Sequence, residues 1–191
     1  MKLKIYLLIF ITTLVIPLWW SYSYAKKVGI GRPTPAREAP RFRGKTVDNK
    51  DISMLDLTLT KSVVVCFSRV EDKDKSELVS SLSLLQRGYG DKLQVVLILT
   101  GDERPVYEWA TRNSGNIAVL PDAESEFAKD YKATVCGETF LIERGGNLKG
   151  NWKEFRPASL AEISLGIAKE WETKPAQVDF GRDRVISGGP L

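Results

Sequence analysis

Few residues in this chain can do chemistry. Of 191 residues two are cysteine, Cys66 and Cys136, and none is histidine. A cysteine thiolate can attack a disulfide or a peroxide, or bind a metal. Without histidine the usual general base, the usual proton shuttle and the commonest metal ligand are all missing. Two cysteines alone make a poor zinc or copper site, so neither a metal nor another cofactor is expected. The densest charge lies in "VEDKDK", Val70 to Lys75, where Glu71, Asp72 and Asp74 alternate with Lys73 and Lys75. Carboxylates at a helix start ordinarily cap it and favour its dipole. An acid–base or cation site would need a partner group, and the interspersed lysines weigh against it.

The two thiols differ in setting. Cys66 lies inside "SVVVCF", where a free cysteine behaves as a small hydrophobe. Cys136 precedes Gly137 in "VCGETF" and is the thiol placed to meet a partner. It reads either as a reactive, mixed-disulfide cysteine or as a part-buried loop thiol, with no assured base or lysine nearby to lower its pKa.

The elements that must position these residues follow from apolar patterning. "SVVVCF" (62–67) and "LQVVLIL" (93–99) are continuous, β-branched runs, as expected of strands covered on both faces. Between them Leu78, Leu82 and Leu85 recur at helical spacing, opened by an Asp74-x-x-Glu77 capping box and closed at Gly88. A second helix is predicted over 104–113, with Pro105 in its first turn. A strand at 117–120 and a short helix capped by Asp122 come next. "TFLIE" and "LKGNW" form a hairpin through Gly145 and Gly146. A final helix is expected to begin with the box Ser159-x-x-Glu162 and to bury Leu160, Ile163 and Ile167. The pattern implies a layered α/β domain over 42–172.

The ends read differently. Lys2 and Lys4 precede an apolar run over 5–20, and Ser23-Tyr24-Ala25 offers small residues where a signal peptidase reads. Residues 1–25 are therefore a cleaved signal peptide or an uncleaved membrane anchor through residues 5–20. The run is short of the ~20 residues that span a bilayer, which favours cleavage. Trp19, Trp20, Lys26 and Lys27 favour an anchor. Either way the domain lies outside the cytoplasm, periplasmic, secreted or tethered. Residues 26–41 hold three prolines and two glycines and read as an extended linker; 173–191 reads as a flexible tail. Lys2 and Lys4 belong to the 28 basic residues against 24 acidic ones, so the chain from residue 26 carries a net charge of only +2. No basic run is interleaved with aromatics, and nucleic acid is not an expected partner.

Both the order of elements and several words resemble the redoxins of the thioredoxin-like fold, the alkyl hydroperoxide reductase/thiol-specific antioxidant type. "APRF" (39–42) resembles the AP-x-F opening of that family. "TVDNKDISMLDL" resembles its next segment, with Asn49 where glycine is usual, and "VVVCFS" its first core strand. "LPDAESEFAKDYKATVCGETFLIERGGNLKG" resembles the stretch through its hairpin. The resemblance spans about 40–171 and implies a central mixed β-sheet flanked by helices. It also implies where catalysis would sit. Redoxins carry one or two cysteines at the start of the helix after that strand, where the helix dipole lowers the thiol pKa. Here Asp72 and Lys75 take those positions. Gly137 stands where the family has a cis-proline that docks substrate, so a trans peptide and a different loop are expected, a cis non-proline bond costing about 3 kcal/mol. The resemblance further makes the two cysteine-bearing segments antiparallel neighbours, offset by several residues and beyond the ~7 Å Cα reach of a Cys66–Cys136 disulfide. Two functions follow as expectations. One is a non-catalytic binding or accessory module whose partner is another exported or membrane protein. The other is a thiol oxidoreductase or peroxidase acting through Cys136.

Overall fold

A computed structural model of the chain describes residues 37–176 and 190–191. The expected signal or anchor lies outside the described residues, as do 26–36 of the linker and 177–189 of the tail. In chain order the elements are β1 (Arg37–Glu38), β2 (Arg43–Lys45), β3 (Asp51–Ser53), α1 (Met54–Thr60), β4 (Ser62–Arg69), α2 (Lys75–Tyr89), β5 (Leu93–Thr100), α3 (Glu103–Asn113), β6 (Ala118–Asp122), α4 (Glu126–Tyr131), β7 (Thr139–Ile142), β8 (Asn147–Trp152) and α5 (Pro157–Glu170).

Six strands form one mixed sheet in the order β1-β8-β7-β4-β5-β6, and β2 pairs with β3 as a separate ribbon. The β4–β5 and β5–β6 pairs are parallel, and β4–β7, β7–β8 and β8–β1 antiparallel. Strand β4 is central, and its side chains alternate between two cores as the two-residue strand period requires. Val64 and Cys66 enter one core with Leu78, Leu82 and Leu85 of α2 and Leu160, Ile163 and Ile167 of α5. Val63, Val65 and Phe67 enter the other with Met54, Tyr131 and Phe140. This is the expected sheet covered on both faces. The hairpin turn also matches: Gly145 and Gly146 both have φ of +87°, a region that costs glycine nothing.

Several boundaries differ from the sequence reading. Arg37 and Glu38, assigned to the linker by composition, pair with Leu148 and Asn147, and Ala39 is buried beside them. Two residues at a sheet edge need no apolar signature, because their main chain makes the contact. Helix α2 runs past Gly88 to Tyr89 and ends on Gly90 at φ +55°. Its Asp74 makes no side-chain cap. Helix α5 starts earlier, with Pro157 at its first position, so the Ser159–Glu162 box does not form. Ser159 Oγ donates instead to Glu154 O at 2.9 Å, and Glu162 accepts from Trp152 Nε1 at 2.6 Å. The Asp122 cap does form, its two oxygens accepting from Phe127 N at 3.3 Å and Ala128 N at 3.0 Å.

Behind the strand ends Phe67, Tyr131 and Phe140 pack as a triad with centroids 5.1–5.7 Å apart. The Tyr131 hydroxyl is buried with no hydrogen-bond partner among the described residues. Phenylalanine would keep the ring contacts and remove an unpaired donor. Tyr131→Phe is expected to raise stability by about 1 kcal/mol, read as a higher urea midpoint with an unchanged denaturant slope.

Candidate functional site

The register of β4 against β7 decides what meets at the carboxyl end of β4. Cys66 pairs with Thr139, and beyond that pair Phe67 N donates to Glu138 O at 3.0 Å and Gly137 N to Phe67 O at 2.6 Å. The ladder then opens between Arg69 on one side and Cys136 on the other. Across the opening lies a cleft of about 250 Å³ lined by Arg69, Glu71, Asp72, Cys136 and Pro190.

After Arg69 the chain turns through the charged cluster into α2. Asp72 is the hub of that turn. Its carboxylate accepts from Ser68 Oγ and from Asp74 N, each at 3.1 Å. Its carbonyl accepts from Lys75 Nζ at 2.8 Å. The Lys75 ammonium also lies 5.6 Å from the centre of the Trp109 ring, a cation–π contact. Asp74 contributes its carbonyl, which accepts from Glu77 N and Leu78 N at 3.1 Å. The Asp72 carboxylate thus takes the Asp74 amide that the Glu77 side chain of the expected box would have reached, and it fixes the turn that precedes the helix.

Of the residues singled out from sequence, Asp72 and Cys136 line the same cleft, and Gly137 adjoins them. Lys75 is held by Asp72 O and Trp109 and does not line it. Gly137 has φ of +81°, and no cis peptide occurs among the described residues. Thr139 Oγ1 donates to Gly137 O at 2.9 Å and holds this loop. Apolar patterning gave no hint of Glu138. It is buried, and its carboxylate accepts from Thr134 N at 2.9 Å and Asn151 Nδ2 at 3.3 Å, fastening the loop to β8.

Both cysteines are free thiols. Three strand positions separate the Cys66–Thr139 pair from Cys136, about 10 Å along the ladder, too far for a disulfide. Cys66 is fully enclosed, and burial pushes its thiol up to about 12, against a smaller downward pull from Thr139 Oγ1 at 3.4 Å. The Cys136 thiol is also raised, first by burial. Its hydrogen bond to the Arg69 main chain pulls it down, the Asp72 charge pushes it up, and the Arg69 charge and Ser68 hydroxyl pull it down again. Its Sγ donates to Pro190 O at 3.4 Å. At neutral pH Cys136 is therefore a protonated, covered thiol and a weak nucleophile. Among the described residues no group of three or more histidine, cysteine, aspartate or glutamate side chains could hold a metal ion.

Solved structures match this architecture. A putative thiol:disulfide interchange protein DsbE from Chlorobium tepidum superposes with a TM-score of 0.65 at 17% identity, over 73% of this chain and 99% of that one. The fold is thioredoxin-like. A hypothetical protein from Sinorhizobium meliloti 1021 gives 0.61 at 16% identity, over 84% and 92% of the two chains. The pneumococcal exposed lipoprotein thioredoxin from Streptococcus pneumoniae gives 0.60 at 17%, over 68% and 98%. No protein-family model matches the sequence, and no curated protein does. Among the described residues of this thioredoxin-like domain, no helix is long and apolar enough to cross a membrane.

Thiol titration follows from these environments. Cys66 is expected to resist alkylation in the native protein at neutral pH and to react once guanidinium unfolds it, as mass spectrometry of the Cys66 peptide would show. The folded chain keeps a Cys66 proton that the unfolded chain releases. Stability should therefore fall as pH rises from 9.0 towards about 12, and Cys66→Ala should flatten that window in urea midpoints measured across pH.

Proposed function

We propose that this protein is an exported or membrane-tethered thioredoxin-fold module that binds another exported or membrane protein and does not itself exchange disulfides or reduce peroxide. The observation that carries the reading is the chemistry at the start of α2. Where redoxins present thiols, this chain presents Asp72, engaged with Ser68 Oγ and Asp74 N, and Lys75, engaged with Asp72 O. Neither side chain can form a bond to sulfur. The nearby thiol, Cys136, is protonated and covered.

Localisation outside the cytoplasm rests on the amino-terminal sequence. It gains support from likeness to a protein described as an exposed lipoprotein thioredoxin and another described as a secreted disulfide oxidoreductase of Mycobacterium tuberculosis. A second reading, thiol chemistry through Cys136, is favoured by one observation: the residue lines the cleft at the end of β4.

The two readings separate in a turnover assay. Purified protein is expected to reduce insulin disulfides and to consume hydrogen peroxide, with dithiothreitol as reductant, no faster than the blank. Cys136→Ser should be indistinguishable from the parent. Turnover in the parent that disappears in Cys136→Ser would replace the binding reading with the thiol-enzyme reading.

A further inference from the structure

Residues 190 and 191 lie at the cleft. Pro190 forms an antiparallel bridge with Val135. Leu191 N donates to Thr134 O at 3.1 Å, and Pro190 O accepts from Cys136 Sγ at 3.4 Å. Among the described residues Pro190 and Leu191 thus lie in a one-bridge pairing along Thr134–Cys136, main chain to main chain. Pro190 suits an edge position because the N–H it lacks is not needed for a ladder on the outer side. Leu191 packs against the core cluster that contains Phe42, Met54 and Phe140. Pro190 forms part of the cleft wall beside Cys136, and the cysteine is only 4% exposed.

We propose that Pro190 and Leu191 are a cis-acting cap: this segment of the same chain occupies the main-chain edge at Thr134–Cys136 and shuts the Cys136 thiol from solution. Three features carry this. The cap is held by backbone pairing, which any extended segment can imitate, so it competes directly with a partner chain for the same edge. Among the described residues it rests on an amide bond, a weak thiol bond and a part-buried leucine, contacts made at an edge and not inside a core, which suits reversible release. Its occupant seats an aliphatic residue, Leu191, on apolar surface, so a competing partner is an extended peptide segment with an aliphatic side chain at the corresponding position. The cap goes beyond the binding-module reading and does not depend on it, because it concerns access to a surface and not turnover at it.

The test compares the full chain with a variant lacking Pro190 and Leu191, each treated with N-ethylmaleimide under native conditions. Alkylation is followed at the Cys136 peptide by mass spectrometry, and Cys66 serves as an internal report of folding. Removing the cap is expected to speed Cys136 modification by about tenfold or more while Cys66 stays protected. Adding the pentapeptide Ser-Gly-Gly-Pro-Leu, the sequence of residues 187–191, should slow the truncated protein again in a saturable manner. An unchanged Cys136 rate after truncation would overturn the proposal. So would an acceleration that the peptide fails to reverse. If Cys66 also reacts in the truncated protein, the domain has loosened, and the comparison passes to Leu191→Lys, which keeps the chain length and removes the apolar anchor. Faster Cys136 modification with Cys66 protected then supports the cap, and an unchanged rate rejects it.

Discussion

The antiparallel register between β4 and β7 is the constraint on which the site depends. Both strands are buried, and a slip of one residue would move every side chain of β4 to the opposite core, exchanging Phe67 for Cys66 against Tyr131 and Phe140. The aromatic triad and the packing of α2 and α5 on the other face hold that register in place. Once Cys66 is fixed opposite Thr139, Arg69 and Cys136 must stand across from each other where the ladder ends. The cleft results from strand pairing and needs no dedicated scaffold of its own.

What fills that cleft is electrostatic in character. Asp72 draws the Ser68 hydroxyl and the Asp74 amide to its carboxylate, and so organises the turn that launches α2. The same negative charge adds to burial in keeping the Cys136 thiol protonated. One side chain therefore stabilises the helix start and suppresses the reactivity of the neighbouring sulfur. Its two effects are coupled, because the carboxylate that completes the turn also faces the cleft.

Much of this architecture was legible in the residues. Continuous runs such as Val63–Phe67 announce strands covered on both faces. Leu78, Leu82 and Leu85 mark α2, and Gly145–Gly146 marks the hairpin turn. Asn49, standing where redoxins usually carry glycine, has φ of +63°, a region asparagine tolerates better than most residues. Helix α1 escaped notice for a physical reason: Leu55 and Leu59 face solvent while Met54 and Thr58 are buried, so its apolar pattern does not point at the core. The boxes of α2 and α5 do not form for two reasons: the Asp72 carboxylate takes the Asp74 amide that Glu77 would have reached, and α5 begins at Pro157, which places Ser159 inside the helix. The juxtaposition of Asp72 with Cys136 was legible only through the redoxin resemblance. The return of Pro190 to Val135 was not legible at all, since a contact made by main chain leaves no signature in side-chain pattern.

The rims of the sheet carry a last consequence. At one side lies β1, two residues long with both side chains charged and exposed; at the other, β6 contains Pro121, and its Val119 carbonyl is already taken by Val47 N at 3.0 Å. The two borders differ, because β1 covers only Asn147 and Leu148 of β8, and among the described residues no strand lies beyond Lys149–Trp152 on that side. A neighbouring backbone is therefore discouraged at the β6 rim by a residue that has no amide hydrogen and by a carbonyl that is already occupied.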